Sequence, residues 1–146
     1  MRRFICFLII ILSGKLLSAQ KNNQQEISKI RAARMASNKF ISEHKADSMT
    51  QFFLDDFVQI RGNSTHLVGR DSIVASWKQL FIANPKVNYV RSPTEIIISD
   101  NDTLAWETGK WKAFNSYSKG GNYSAMWRKW NGEWKIQAEL FVSLND

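Results

Sequence analysis

Asn131-Gly132 lies between two runs of alternating residues, Tyr123 to Trp130 and Glu133 to Leu140. Both turn residues tolerate the positive φ of a type I′ turn, so the pair predicts a β-hairpin with a two-residue loop. A loop that short fixes register. Trp130 then faces Glu133, Lys129 faces Trp134, Trp127 faces Ile136, Ala125 faces Ala138 and Tyr123 faces Leu140. Directly opposed residues share a sheet face. One face therefore carries Tyr123, Ala125, Trp127, Trp134, Ile136, Ala138 and Leu140, with Lys129 among them. That face is apolar and has to be covered. The other, with Ser124, Met126, Arg128, Lys135, Gln137 and Glu139, is mixed and suits partial solvation.

The chain begins with Met1-Arg2-Arg3, an apolar run from Phe4 to Leu12, and small residues at Ser18-Ala19. This is the pattern of a secretory signal, with cleavage expected after Ala19. Residues 1–19 are read as the leader and 20–146 as one domain, so the protein is expected to be exported, periplasmic or secreted. The apolar run is too short for a stable membrane span. Cys6, the single cysteine, leaves with the leader, so neither disulfide nor thiol chemistry is expected. Twenty Lys and Arg against thirteen Asp and Glu give +7; loss of Arg2, Arg3 and Lys15 leaves +4. The remaining basic residues are scattered and form no phosphate-tracking run, which argues against a nucleic-acid partner.

Glu26 to His44 contains neither Pro nor Gly and reads as a helix, with Ile27, Ile30, Ala33, Phe40 and Ile41 near one side. Arg34, Ser37 and Asn38 interrupt that stripe. Asp47 is placed as the N-cap of a second short helix carrying Met49, Phe52 and Phe53. Asp55-Asp56 ends it. Phe57 to Arg61 and His66 to Val68 read as strands. Asp71 is placed as the cap of a third helix with Ile73, Trp77, Leu80 and Phe81 on one face, stopped by Pro85. Asn88 to Ser99, Thr103 to Phe114 and the hairpin follow as a meander. The class is α+β, with three N-terminal helices packed on one face of an antiparallel sheet.

Several short motifs occur in a fixed order. They are Asp55-Asp56-Phe57-Val58, Gly69-Arg70-Asp71, Trp77, Ala105-Trp106-Glu107-Thr108-Gly109, and Gly121 with Tyr123, Ala125 and Trp127-Arg128-Lys129. Asn131-Gly132, Trp134-Lys135-Ile136 and Glu139 complete the series. In this order the mature chain resembles the nuclear transport factor 2-like superfamily, which includes ketosteroid isomerase and the SnoaL-like polyketide cyclases. Within that superfamily it looks most like the exported members grouped as a domain of unknown function. The resemblance implies a curved sheet forming a cone, with the helices on its concave face. It does not imply one activity, because this fold carries enzymes, binding modules and adaptors. The base-and-donor set of ketosteroid isomerase has no residue-by-residue match here, and its chemistry is not transferred.

Glu107 is the first candidate for chemistry. If Gly109 pairs with Trp127 and Trp111 with Ala125, Glu107 falls on the apolar face opposite Lys129. A carboxylate among apolar neighbours is costly unless paired, and its pKa tends to rise. Such a group suits general acid–base work; the alternative is a structural ion pair with Lys129. Glu139 opposes Ser124 on the mixed face by this register, unless a β-bulge turns it inward. Asp56 is a second catalytic candidate, at the cone mouth, or else a helix-end residue. Tyr89, Trp111, Tyr123 and Trp127 are candidate ligand-binding residues, or plain core. His44 and His66 have no metal-ligand spacing, so neither metal nor cofactor is expected.

Three functions fit these residues. The first is an exported domain that binds a small apolar or aromatic molecule in a cone-shaped pocket. The second is an isomerase, cyclase or hydratase using a pocket carboxylate. The third is a non-catalytic interaction module. Trp106, Met126, Trp130 and Phe141 are assigned to the exposed sheet face, whose apolar content predicts a homodimer. A chain beginning at Gln20 is expected to fold and stay soluble; its aggregation, with the full chain folding normally, would overturn the leader assignment.

Overall fold

A computed structural model describes residues 3–144, with side chains from residue 23 onward; the expected leader, Met1 to Ala19, lies outside the residues whose side chains are described. The elements run α1 (Arg3–Ser42), a single 3-10 segment (Asp47–Phe52), β1 (Phe53–Arg61), β2 (His66–Val68), α2 (Arg70–Ala83), β3 (Asn88–Ile98), β4 (Leu104–Phe114), β5 (Gly120–Trp130) and β6 (Glu133–Ser143). The class is α+β, with one six-stranded curved sheet ordered β2-β1-β6-β5-β4-β3.

Three helical segments precede β3, and the middle one is 3-10 rather than α. Asp47 does not cap it: Ala46 holds that position and no side chain bonds the free N–H groups. β1 starts at Phe53, so Asp55 and Asp56 belong to a strand and do not end a helix. Asp71 is not a cap either. Gly69 begins α2 with φ 87°, a conformation that suits glycine, and Asp71 sits in the first turn.

β3 to β6 form the expected meander, each strand antiparallel to the next. β1 closes the sheet by pairing in parallel with β6. Asn131 and Gly132 have φ 51° and 81°, as a type I′ turn requires. From the turn the predicted register holds through Trp127↔Ile136. It then shifts at a β-bulge: Met126 pairs with Ala138, Ala125 with Glu139 and Tyr123 with Phe141, leaving Gln137 as the extra residue. With a side-chain period of two, one extra residue exchanges the faces of everything beyond it. Ala138 and Leu140 therefore point outward, and Glu139 and Phe141 point inward. Phe141, assigned to the outer face, instead stacks on Tyr123 at 5.8 Å.

The β4–β5 register also differs from expectation. Gly109 pairs with Tyr123, Trp111 with Gly121 and Glu107 with Ala125. The displacement from the expected pairing is an even number of residues, so Glu107 keeps its face but loses Lys129 as its neighbour. Glycine is needed at 109, because a Cβ there would come within 2.8 Å of Tyr123 Cε1 and press on the Ser92 carbonyl.

The main core joins the inner face of the sheet to α1, the 3-10 segment and α2. It includes Ile30 and Ile41 of α1, Phe57, Ile73, Ile96, Trp127 and Ile136. A smaller cluster of Trp111, Ala113 and Tyr123, with Tyr89 and Phe141 against it, lies toward the end of the sheet away from the Asn131-Gly132 turn, and Tyr89 touches both clusters. A buried polar cluster of Arg34, Arg91, Glu107, Glu139 and Gln59 sits within this face. No helix among the described residues is long and apolar enough to cross a membrane.

Candidate functional site

Every third or fourth residue of α1 from Glu26 faces inward: Glu26, Ile30, Arg34, Ser37 and Ile41 are all buried. The polar interruptions of the helical stripe are therefore its centre. Arg34 has no exposed surface. Its Nε and Nη2 donate to the two oxygens of Glu107 at 2.9 and 3.0 Å, and its Nη1 donates to Glu139 Oε1 at 2.7 Å. The fork geometry of a guanidinium allows this two-carboxylate grip, which a lysine could not make. The rings of Tyr123 and Trp127 lie 5.3 and 5.0 Å from the Arg34 guanidinium carbon, within cation–π range.

Glu107 has no free acceptor geometry left for a substrate. Besides Arg34, Tyr123 Oη and Trp127 Nε1 both donate to it. Burial alone raises its pKa, but the charge and bonds of Arg34, with the Tyr123 and Trp127 donors, outweigh burial and hold the carboxyl below its usual range. The expected rise of this pKa is thus reversed, and the partner is Arg34 rather than Lys129. Lys129 instead binds Glu26 at 2.8 Å. Tyr123 is pushed the other way, first by burial and also by the Glu107 charge, so its phenol stays protonated.

Glu139 is buried too, and the bulge at Gln137 is the reason. It accepts from Arg34, from Arg91 Nη1 at 3.3 Å and from Gln59 Nε2 at 3.4 Å. Arg91 is further held by Ser37 at 2.8 Å and by Asn38 at 3.2 Å. Burial, then the like charge of Arg34, lowers the Arg91 pKa. Gln59 accepts from Arg61 Nε at 2.8 Å, and Arg61 Nη2 donates to Ser76 Oγ at 3.3 Å.

Of the residues singled out in the sequence, the structure unites Glu107, Tyr123 and Trp127 on one carboxylate. Trp111 and Tyr89 lie next to them toward the end of the sheet where Arg61 sits. Their rings are 6.0 Å apart; Trp111 Nε1 donates to the Val142 carbonyl at 3.2 Å, and Tyr89 Oη meets Ser116 Oγ at 3.0 Å. Asp56 stands apart, exposed on β1. It lines an outer cleft of ≈ 610 Å³ with Arg70, Arg128, Trp130 and Lys135, not the inner face. Arg34, Arg61, Arg91 and Gln59 were not singled out by sequence reasoning. The one signal for them was the charged residue in the α1 stripe.

The sequence pattern of the SnoaL-like domain matches residues 30–139, and the chain belongs to that family. The matched segment runs from the α1 face that carries Arg34 to Glu139. Solved structures share the fold. An NTF2-like protein with a cystatin-like fold from Novosphingobium aromaticivorans is similar at 13% identity and TM-score 0.73, covering 88% of each chain. A domain of unknown function from Nostoc punctiforme is 19% identical with TM-score 0.72, over 84% of this chain and 79% of that one. A candidate scytalone dehydratase from N. aromaticivorans is 15% identical with TM-score 0.69, over 83% of this chain and 85% of that one. No curated protein sequence matches the chain.

Removing one member of a buried ion pair strands the other, at a cost of about 3–5 kcal/mol, whereas replacing both by apolar groups is often nearly neutral. Glu107→Leu is therefore expected to lower the denaturant midpoint strongly, and Arg34→Met with Glu107→Leu to recover part of the loss. Losses that simply add would show that the pair is not coupled. Glu26, bonded to Lys129, Lys29 and Trp134, is lowered from 4.5 to about 2. Carboxyls depressed on folding stabilise fully above their unfolded value and lose that contribution as pH falls through the folded one. Thermal stability is expected to fall between pH 4.5 and 2, and Glu26→Gln to flatten that limb.

Proposed function

We propose that the protein is an exported binding domain that holds a small apolar or aromatic molecule on its inner face, above the charged layer, without converting it. One observation carries the non-catalytic part: Glu107, the carboxylate best placed to act as a base, is saturated by donors and held ionised. A general base has to accept a proton near neutral pH with a lone pair facing its substrate, and Glu107 meets neither condition. Glu139 is likewise engaged by three donors. The enzyme reading would require a base from outside this pair. The binding reading is supported by the half-buried aromatic residues Trp77, Tyr89 and Phe141 beside Trp111, in a family fold that accommodates ligands. Export rests on the leader pattern of residues 1–19.

A second reading, self-association, rests on a different observation. Across the outer face, Ile97, Trp106, Met126, Ala138, Val58 and Val68 pair in one continuous row over all six strands. Val68 is 65%, Ile97 55% and Trp106 48% exposed. An unbroken apolar row of this length suits a second copy of the same face.

Mass spectrometry of the purified protein, native and then denatured, is expected to release a bound small molecule that Tyr89→Ala retains poorly. Repeated preparations carrying none, with no apolar compound raising the melting temperature, would overturn the binding reading. Sedimentation is expected to show a dimer that Trp106→Glu converts to monomer; a wild-type monomer at high micromolar concentration would remove the second reading.

A further inference from the structure

Around Arg34, apart from the Glu26–Lys129 pair at the hairpin end, the inner face carries three guanidiniums and two carboxylates among the described residues. Arg34 pairs with Glu107 and Glu139, and Arg91 pairs with Glu139. Arg61 has no carboxylate within salt-bridge distance. Its Nε and Nη2 are taken by Gln59 and Ser76, and Nη1 has no hydrogen-bond acceptor among the described residues. The residue is only partly exposed, so water screens the surplus charge incompletely.

The surroundings of Arg61 are flat and aromatic. Phe141 is its neighbour on β6. Ser76, which holds Nη2, adjoins Trp77 on α2. Trp77 contacts Tyr89 edge-on at 5.6 Å, Tyr89 contacts Trp111 at 6.0 Å, and Trp111 contacts Phe141 at 6.3 Å. A cation without a counter-ion, beside a run of four aromatic rings, is complementary to a flat molecule that carries one negative charge.

We propose that this rim takes a small planar carboxylate, with its charge on Arg61 and its apolar body against the half-buried rings of Trp77, Tyr89 and Phe141. The inference deepens the binding reading above and rests on it. A guanidinium that offers its free edge favours a carboxylate over a neutral alcohol of the same shape. A monoanion would bring the cluster of Arg34, Arg61, Arg91, Glu107 and Glu139 to three charges of each sign. A dianion would overshoot that balance.

The test compares 1-naphthoate with 1-naphthalenemethanol by isothermal titration on the full chain at low salt and pH 7. The acid is expected to bind at least tenfold more tightly than the alcohol, and added salt to weaken only the acid. Arg61→Gln is expected to cost the acid tenfold or more and to change the alcohol less than twofold. Arg61→Lys, which keeps the charge and loses the fork, is expected to fall between. Melting curves of both variants confirm that they fold; if Arg61→Gln does not, the wild-type comparison and Arg61→Lys decide. Equal binding of acid and alcohol, or acid binding unaffected by Arg61→Gln, overturns the proposal and leaves the binding reading standing. Binding of neither compound also overturns the proposal, while the binding reading is decided by the mass-spectrometric test above.

Discussion

Arg34 is the residue around which the two layers of this protein are aligned. A guanidinium with no exposed surface is costly to bury, and it is tolerated only where acceptors meet it from fixed directions. Here they come from β4 and β6, strands that are not neighbours, since β5 lies between them. The helix can neither slide nor rotate without stranding a charge. The apolar contacts around Ile30 and Ile41 provide attraction but little direction, whereas the ion cluster sets the position of the helix. Glu26 adds a second fixed point at the hairpin end, where Trp134 Nε1 donates to it at 2.7 Å and Lys129 pairs with it.

The same cluster is embedded in the inner face. On the hairpin side the packing is apolar and closed around Trp127 and Ile136, both with no exposed surface. On the far side Trp111 and Tyr123 are buried, Trp77, Tyr89 and Phe141 are partly exposed, and Arg61 lies beside Phe141. Saturation of Glu107 follows from its place in the middle of this arrangement: it fixes α1, and a group committed to that task is poorly suited to moving protons. In the binding proposed above, the polar layer is the floor and specificity falls to the residues above it.

Much of this architecture was legible in the sequence, because it depends on local signals. Asn131-Gly132 fixed the last hairpin, and alternation located β3 and β4 to within a residue. The face of Glu107 was right although its pairing was not, since parity survives an even shift. The bulge at Gln137 was not readable. It has no composition of its own, yet it decides where Glu139 and Phe141 point. The parallel closure of β1 on β6 was equally hidden, because nothing near either strand encodes a long-range partner. Arg34 was visible only as a flaw in an apolar stripe. Its meaning required two carboxylates that lie 73 and 105 residues further along.

Those separations also bear on the order in which the chain assembles. During synthesis the helix bearing Arg34 emerges long before either acid, and no local contact can neutralise it in the meantime. Glu107 arrives first, with β4, and Glu139 only with the last strand. Contacts of such long range are slow to form, because loop entropy has to be overcome before they stabilise anything. Until β6 docks, β1 also lacks the strand that joins it to the rest of the sheet. The ion cluster that positions α1 is therefore complete only once β6 is in place.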